Sequence, residues 1–167
     1  MQKRIRRRPV AAIEAFADTG IHPLLARVYS ARGIESPAQL DLALTQLLPP
    51  NLLLNADRAA TVLADALEAD KRIVVIGDFD ADGATSTALV VSALRAFGAR
   101  HVRYLVPNRF EYGYGLTPEI VALAAQNQPD LIITVDNGIS SIEGVAGANA
   151  LGISTLIIQL GTRQILI

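Results

Sequence analysis

Cysteine is absent from this 167-residue chain, and histidine occurs only twice. Without thiols there is no disulfide framework and no thiolate metal site, and a reducing, cytoplasmic setting fits. Aromatic residues make up 5% of the chain, too few to count on a base-stacking platform. Neither sign of charge dominates. With a formal net charge of -1, any contact with a polyanion must rest on local placement of charge. No apolar run approaches the roughly 20 residues of a membrane span, so a membrane is not among the expected partners. The basic cluster Lys3, Arg4, Arg6, Arg7 and Arg8 is followed by Pro9, Glu14 and Asp18 rather than by an apolar stretch. That excludes a signal peptide and leaves a solvated tail or a phosphate-contacting arm.

What is present is a globular composition. Hydrophobic residues are 51% and charged residues 19%, which excludes a disordered chain and supplies a core. The length suits one domain, or one domain plus a small appendage. Residues 1–50 read as a helical N-terminal extension. His22-Pro23 offers one helix start. Ser36-Pro37-Ala38-Gln39 offers another, with a capping box and Leu40, Leu44, Leu47 and Leu48 following at helical spacing, stopped by Pro49-Pro50.

From residue 51 the periodicity alternates. A helix near Asp57 carries Ala59, Val62, Leu63, Ala66 and Leu67 on one stripe. Ile73 to Ile76 is a short β-branched run suited to a strand buried on both faces. Helices expected over about 84–97, from Thr117-Pro118, and over about 141–151 alternate with strands over 102–106, 131–135 and 153–158. This order predicts an α/β domain with a parallel sheet, right-handed crossovers and helices on both faces. Ligands in such sheets bind beyond the carboxyl ends of the strands.

Acidic motifs stand at those ends. After the first strand the chain reads Gly77-Asp78-Phe79-Asp80-Ala81-Asp82-Gly83. In an extended chain, alternation puts the three carboxylates on one side, where they repel one another unless a cation intervenes. Oxygen donors of this kind suit Mg²⁺ or Mn²⁺. After the third strand comes Val135-Asp136-Asn137-Gly138, a further carboxylate at the same edge. An EF-hand loop is disfavoured because its twelfth position would be Leu89 and a strand precedes it. A capping role for the helix near Ala84 needs one aspartate, not three. The loop Pro107 to Gly115 follows the second strand. Its Arg109 could grip a phosphate or neutralise the aspartates, and Tyr112 and Tyr114 could stack on a base.

The stretches Ile76 to Gly83, Val106 to Gly115 and Thr134 to Gly138 together resemble the DHH phosphoesterase superfamily. Within it they resemble the RecJ family of single-stranded-DNA exonucleases, over about Arg7 to Ile158. The resemblance implies removal of nucleotides from a 5′ end of single-stranded DNA in repair and recombination. It implies Mn²⁺ or Mg²⁺ as cofactor, and a single-stranded-DNA-binding protein as a partner. It assigns Asp78, Asp80, Asp82 and Asp136 to metal binding, with Asp80, Asp82 and Asp136 catalytic. Arg109, Asn137 and Gly138 fall to substrate binding. The family's Asp-His-His motif is expected after the fourth strand. Here the chain reads Gln159 to Ile167 instead, and its histidines are His22 and His101. Residues 51–158 therefore read as the N-terminal part of a DHH domain and 159–167 as a tail unlike the family, from a truncation or frameshift. Such a chain is expected to be inactive alone and to leave its fourth strand as an exposed edge. Two other functions fit the same motifs: a DHH phosphoesterase for a small nucleotide or pyrophosphate, and a non-catalytic module binding metal and DNA.

Overall fold

A computed structural model of the chain describes residues 13–47, 49–138, 141–159 and 164–166. The chain divides into two compact units, Met1–Leu48 and Pro49–Ile167. The basic cluster Lys3 to Arg8 lies outside the described residues, as do Leu48, Ile139, Ser140 and most of the tail.

In the first unit, a 3-10 turn over Ile13–Phe16 precedes helix α1 (Pro23–Ala31). His22 starts α1 as its sequence context suggests: its Nδ1 accepts a hydrogen bond from the Leu24 amide at 3.2 Å. Phe16 is buried, with its ring centroid 6.3 Å from that of Tyr29. The capping contact at Ser36 also forms, the Gln39 Oε1 accepting from the Ser36 amide at 3.2 Å. The continuous helix expected beyond it does not. Two 3-10 turns, Pro37–Leu40 and Leu44–Gln46, replace it. Asp41 turns its carboxylate onto the Ala43 amide at 3.0 Å, a local bond that competes with helix. Leu42 and Leu47 stay largely exposed, so no packing compensates for the cost of nucleating a helix.

The second unit runs α2 (Ala56–Glu68), β1 (Ile73–Ile76), α3 (Ala81–Ala96), β2 (Val102–Leu105), α4 (Arg109–Tyr112), α5 (Pro118–Ala125), β3 (Leu131–Val135), α6 (Ile142–Ala150), β4 (Ser154–Gln159) and β5 (Gln164–Leu166). The sheet order is β2-β1-β3-β4-β5. β1 pairs in parallel with β2 and β3, and β3 with β4. Every residue of β1 and β3 is buried, because alternate side chains enter two separate cores. Ile73, Val75, Leu131, Ile133 and Leu156 pack with Ala59, Ala66, Val91 and Leu94 of α2 and α3. Val74, Ile76, Ile132 and Ile157 pack with Ile120, Val121, Ala124 and Ala148 of α5 and α6. These are the helices on both faces that the alternating pattern implied.

Two features depart from expectation. β4 is not left as the edge. β5 pairs with it antiparallel, with Ile158 opposite Ile165, and so covers the backbone groups that an edge strand would expose. The segment after β2 is not all loop, since Arg109–Tyr112 forms one helical turn. Asn108 caps it, accepting from the Phe110 amide at 3.1 Å.

Candidate metal centre

The strand order reverses at β1, whose neighbours β2 and β3 lie on opposite sides. That is the switch point where an open α/β sheet leaves a crevice at its carboxyl edge. The register pairs Ile76 with Thr134. Asp78 and Asp136 each follow two residues later, one on either side of the crevice.

Asp78, Asp80 and Asp136 each offer an oxygen, and these atoms lie within 4.8 Å of one another. Asp78 is buried, Asp136 partly buried and Asp80 exposed. Asp82 is outside this group. Helix α3 starts at Ala81, three residues before the expected start, so Asp82 occupies its first turn and is exposed. The extended alternation that would align all three aspartates breaks at Asp80, which caps α3. Its Oδ1 accepts from the Gly83 amide at 3.1 Å. Capping and membership of the acidic group thus coincide in one residue. Asp82 still acts through its charge. Burial raises the pKa of Asp136, and the charges of Asp82, Asp80 and Asp78 raise it further, in that order.

The β1 turn depends on close backbone approach. A Cβ on Gly83 would lie 2.5 Å from the Asp78 carbonyl oxygen, and one on Gly77 would strike the Thr87 hydroxyl. The β3 turn uses a left-handed backbone at Asp136 (φ 62) and positive φ at Gly138 (φ 114). Asn137 is buried, its Nδ2 donating to the Val135 carbonyl at 3.3 Å. Its Oδ1 is buried without a partner among the described residues.

Arg109 reaches in from α4. Its Nη2 donates to Asp78 Oδ1 at 2.8 Å and to Asp80 Oδ2 at 3.5 Å. The bond to Asp78 is the main reason its pKa is raised. Arg109 is thus paired with both aspartates. Its Cζ lies 5.5 Å from the centroid of the Tyr114 ring, and the Tyr114 hydroxyl donates to the Asp136 carbonyl at 3.3 Å. Tyr114 thus touches the site through its hydroxyl and ring, while Tyr112 packs against the α5–α6 core. Asn137 and Gly138, just beyond β3, are buried. Sequence reasoning passed over Thr134, the one polar residue in β3. Its signals were a hydroxyl in an otherwise aliphatic strand and its place at the head of the Thr134 to Gly138 stretch.

The fold and its edge define an α/β domain of the DHH type: residues 72–159 match the DHH family, N-terminal domain, and the chain belongs to that family. Within it, the chain is similar to proteins named single-stranded-DNA-specific exonuclease RecJ. It is 52% identical over 153 residues to the one from Dickeya dadantii (strain 3937), covering 92% of this chain and 26% of the relative. It is 47% identical over 156 residues to the one from Escherichia coli (strain K12), covering 93% and 27%. The chain thus spans about a quarter of the length of the curated relatives it matches. A crystal structure of exonuclease RecJ bound to manganese superimposes with a TM-score of 0.59 at 39% identity, covering 71% of this chain and 29% of that one. RecJ from Thermus thermophilus in complex with Mn²⁺ does so with a TM-score of 0.57 at 34% identity, covering 87% and 20%. No helix among the described residues is long and apolar enough to cross a membrane.

Proposed function

We propose that this chain contributes part of the catalytic domain of a metal-dependent, cytoplasmic exonuclease that hydrolyses single-stranded DNA from a 5′ end. The observation that carries the reading is the convergence of Asp78, Asp80 and Asp136 at the switch point of the sheet. An all-oxygen set with one buried and one partly buried carboxylate fits a hard divalent ion such as Mn²⁺ or Mg²⁺. Burial first, and then the charges of Asp82, Asp80 and Asp78, raise the pKa of Asp136, and such an ion would offset both effects. When bound, divalent ions supply water activation at neutral pH and charge stabilisation on the leaving oxygen.

The chain's own residues have the following parts. Asp78, Asp80 and Asp136 hold the ion, and the exposed Asp82 adds field from the start of α3. Arg109 balances Asp78 and Asp80 and is in place to turn toward a phosphate, which a guanidinium grips through two parallel bonds. Asn137 and Gly138 shape the floor of the crevice. Tyr114 orients both Arg109 and the Asp136 backbone. With no histidine after His101, the chain lacks the imidazole ligands of the family's Asp-His-His motif. In this reading it does not turn over alone.

A chimaera tests the reading. Residues 1–158 replace the matching segment of the Dickeya dadantii relative, and release of nucleotides from a 5′-labelled single strand is followed with Mn²⁺. Cleavage that disappears in the Asp136→Asn chimaera is the expected result. A folded chimaera that leaves single strands intact, or one indifferent to Asp78→Asn and Asp136→Asn, would overturn it.

A further inference from the structure

Thr134 is fully buried in β3, between Ile133 and Val135. Valine has the same branched shape and would serve the core equally well. A buried hydroxyl is costly unless it is bonded. This one donates to the backbone carbonyl of Asn137 at 2.8 Å. The bond spans three residues and arches over Asp136, whose left-handed backbone (φ 62) is unfavourable for a residue with a side chain. Gly138 completes the arch: a Cβ there would lie 2.7 Å from the Thr134 hydroxyl oxygen and 3.1 Å from Ile157. The Tyr114 hydroxyl also donates to the Asp136 carbonyl.

We infer that Thr134 is a positioning residue for the metal centre, its hydroxyl closing the turn that aims the Asp136 carboxylate at Asp78 and Asp80. This rests on the reading of Asp136 as a metal ligand. The bond leaves the strand itself undisturbed, because β3 pairs with β1 and β4 through backbone groups on either side. What it constrains is the direction in which the chain leaves the sheet. Asp136 approaches Asp78 and Asp80 against their charge, so a looser turn would let its carboxylate swing outward.

The test is calorimetric titration of the full 167-residue chain with Mn²⁺ alone. Wild type is compared with Thr134→Val, Thr134→Ser, Asp136→Asn and the Thr134→Val/Asp136→Asn double variant. Thr134→Val is expected to lose about tenfold in Mn²⁺ affinity, the low end of the loss seen when groups that orient metal ligands are removed. Thr134→Ser, which keeps the hydroxyl, should stay close to wild type. The double variant should bind no more weakly than Asp136→Asn, since Thr134 acts only through that carboxylate. If Asp136→Asn weakens binding while Thr134→Val does not, Thr134 has no positioning role and the metal reading stands. Unchanged affinity in Asp136→Asn would remove both. A Thr134→Val chain that fails to fold would also overturn the inference, because the hydroxyl would then serve the fold rather than the site.

Discussion

Asp78 and Asp136 occupy equivalent places on neighbouring parallel strands, each two residues beyond the paired positions Ile76 and Thr134. Their carboxylates, with that of Asp80, meet across the crevice. Two like charges brought together by the sheet make the metal-free site electrostatically unfavourable.

Burial, and then the charges of Asp82, Asp80 and Asp78, hold the Asp136 carboxyl above its ordinary pKa. The folded state therefore binds this proton more tightly than the unfolded state. Ionisation lowers stability as the pH rises from the unfolded value through the folded one. Without metal, Asp136→Asn should melt above wild type at pH 7, and the gap should close as the pH falls through that window. With Mn²⁺ added the order should reverse. Thermal melts at several pH values, with and without the ion, check both signs.

Arg109 is the cation that balances Asp78, through a 2.8 Å bond. Arg109→Gln should lower metal-free stability slightly, the exposure of the arginine keeping the effect small. The same change removes a competitor for Asp78 and Asp80, so Mn²⁺ affinity should rise. Calorimetry showing weaker Mn²⁺ binding in Arg109→Gln would mean that the guanidinium does not compete with the ion.

Two helical glycines should respond to alanine with opposite signs. A methyl group on Gly147 in α6 would meet open space, with nothing within 4 Å, so Gly147→Ala should stabilise by up to about 1 kcal/mol through helix propensity. Gly83 faces the Asp78 backbone at 2.5 Å, and rigid main chain cannot yield as a side chain can. Gly83→Ala should destabilise the chain and displace Asp78 despite the better propensity. Denaturant midpoints for the pair measure both effects.

Far from the site, Asp130 joins the starts of β1 and β3. Its Oδ2 accepts from the Arg72 amide at 2.8 Å and from Arg72 Nε at 3.3 Å. The bonds from Arg72 hold its carboxyl below the ordinary carboxylate range. A depressed pKa contributes stability that is complete above the unfolded value and disappears as the pH falls through the folded one. Asp130→Asn should therefore cost about 0.5–1 kcal/mol at pH 7, the size of a solvent-exposed ion pair. The cost should vanish in acid below the folded pKa. A difference from wild type that persists there would assign the effect to packing.

Much of this protein is legible locally. The β-branched run of β1, the Thr117 and Ser36 caps and the stripe of α2 are written within windows of a few residues, and the strand-end aspartates stand out beside them. Local reading failed where local forces compete. Asp80 was free to continue an extended chain or to cap a helix, and the Gly83 amide decided for the cap, turning Asp82 away from the others. Leu40 to Leu48 have helical spacing, but nothing buries Leu42 or Leu47 and the helix does not form. The tail has no periodicity of its own, and Gln164–Leu166 is a strand because β4 has backbone groups to pair.

The sequence by itself determined α2, β1 to β4 and the longer helices between them, their order and the chemistry at each strand end, because caps, turns and periodicity act between residues a few positions apart. Only the tertiary structure decided that β3 lies beside β1 on the side away from β2, in a register that sets Asp136 opposite Asp78. That choice comes from burying both faces of the sheet under α2 and α3 on one side and α5 and α6 on the other. Burial of this kind sums over contacts far apart in the chain, which no local pattern encodes. The role of Thr134 belongs to the same level: a hydroxyl in an aliphatic strand acquires its meaning only once the strand is fully enclosed and the Asn137 carbonyl supplies its acceptor.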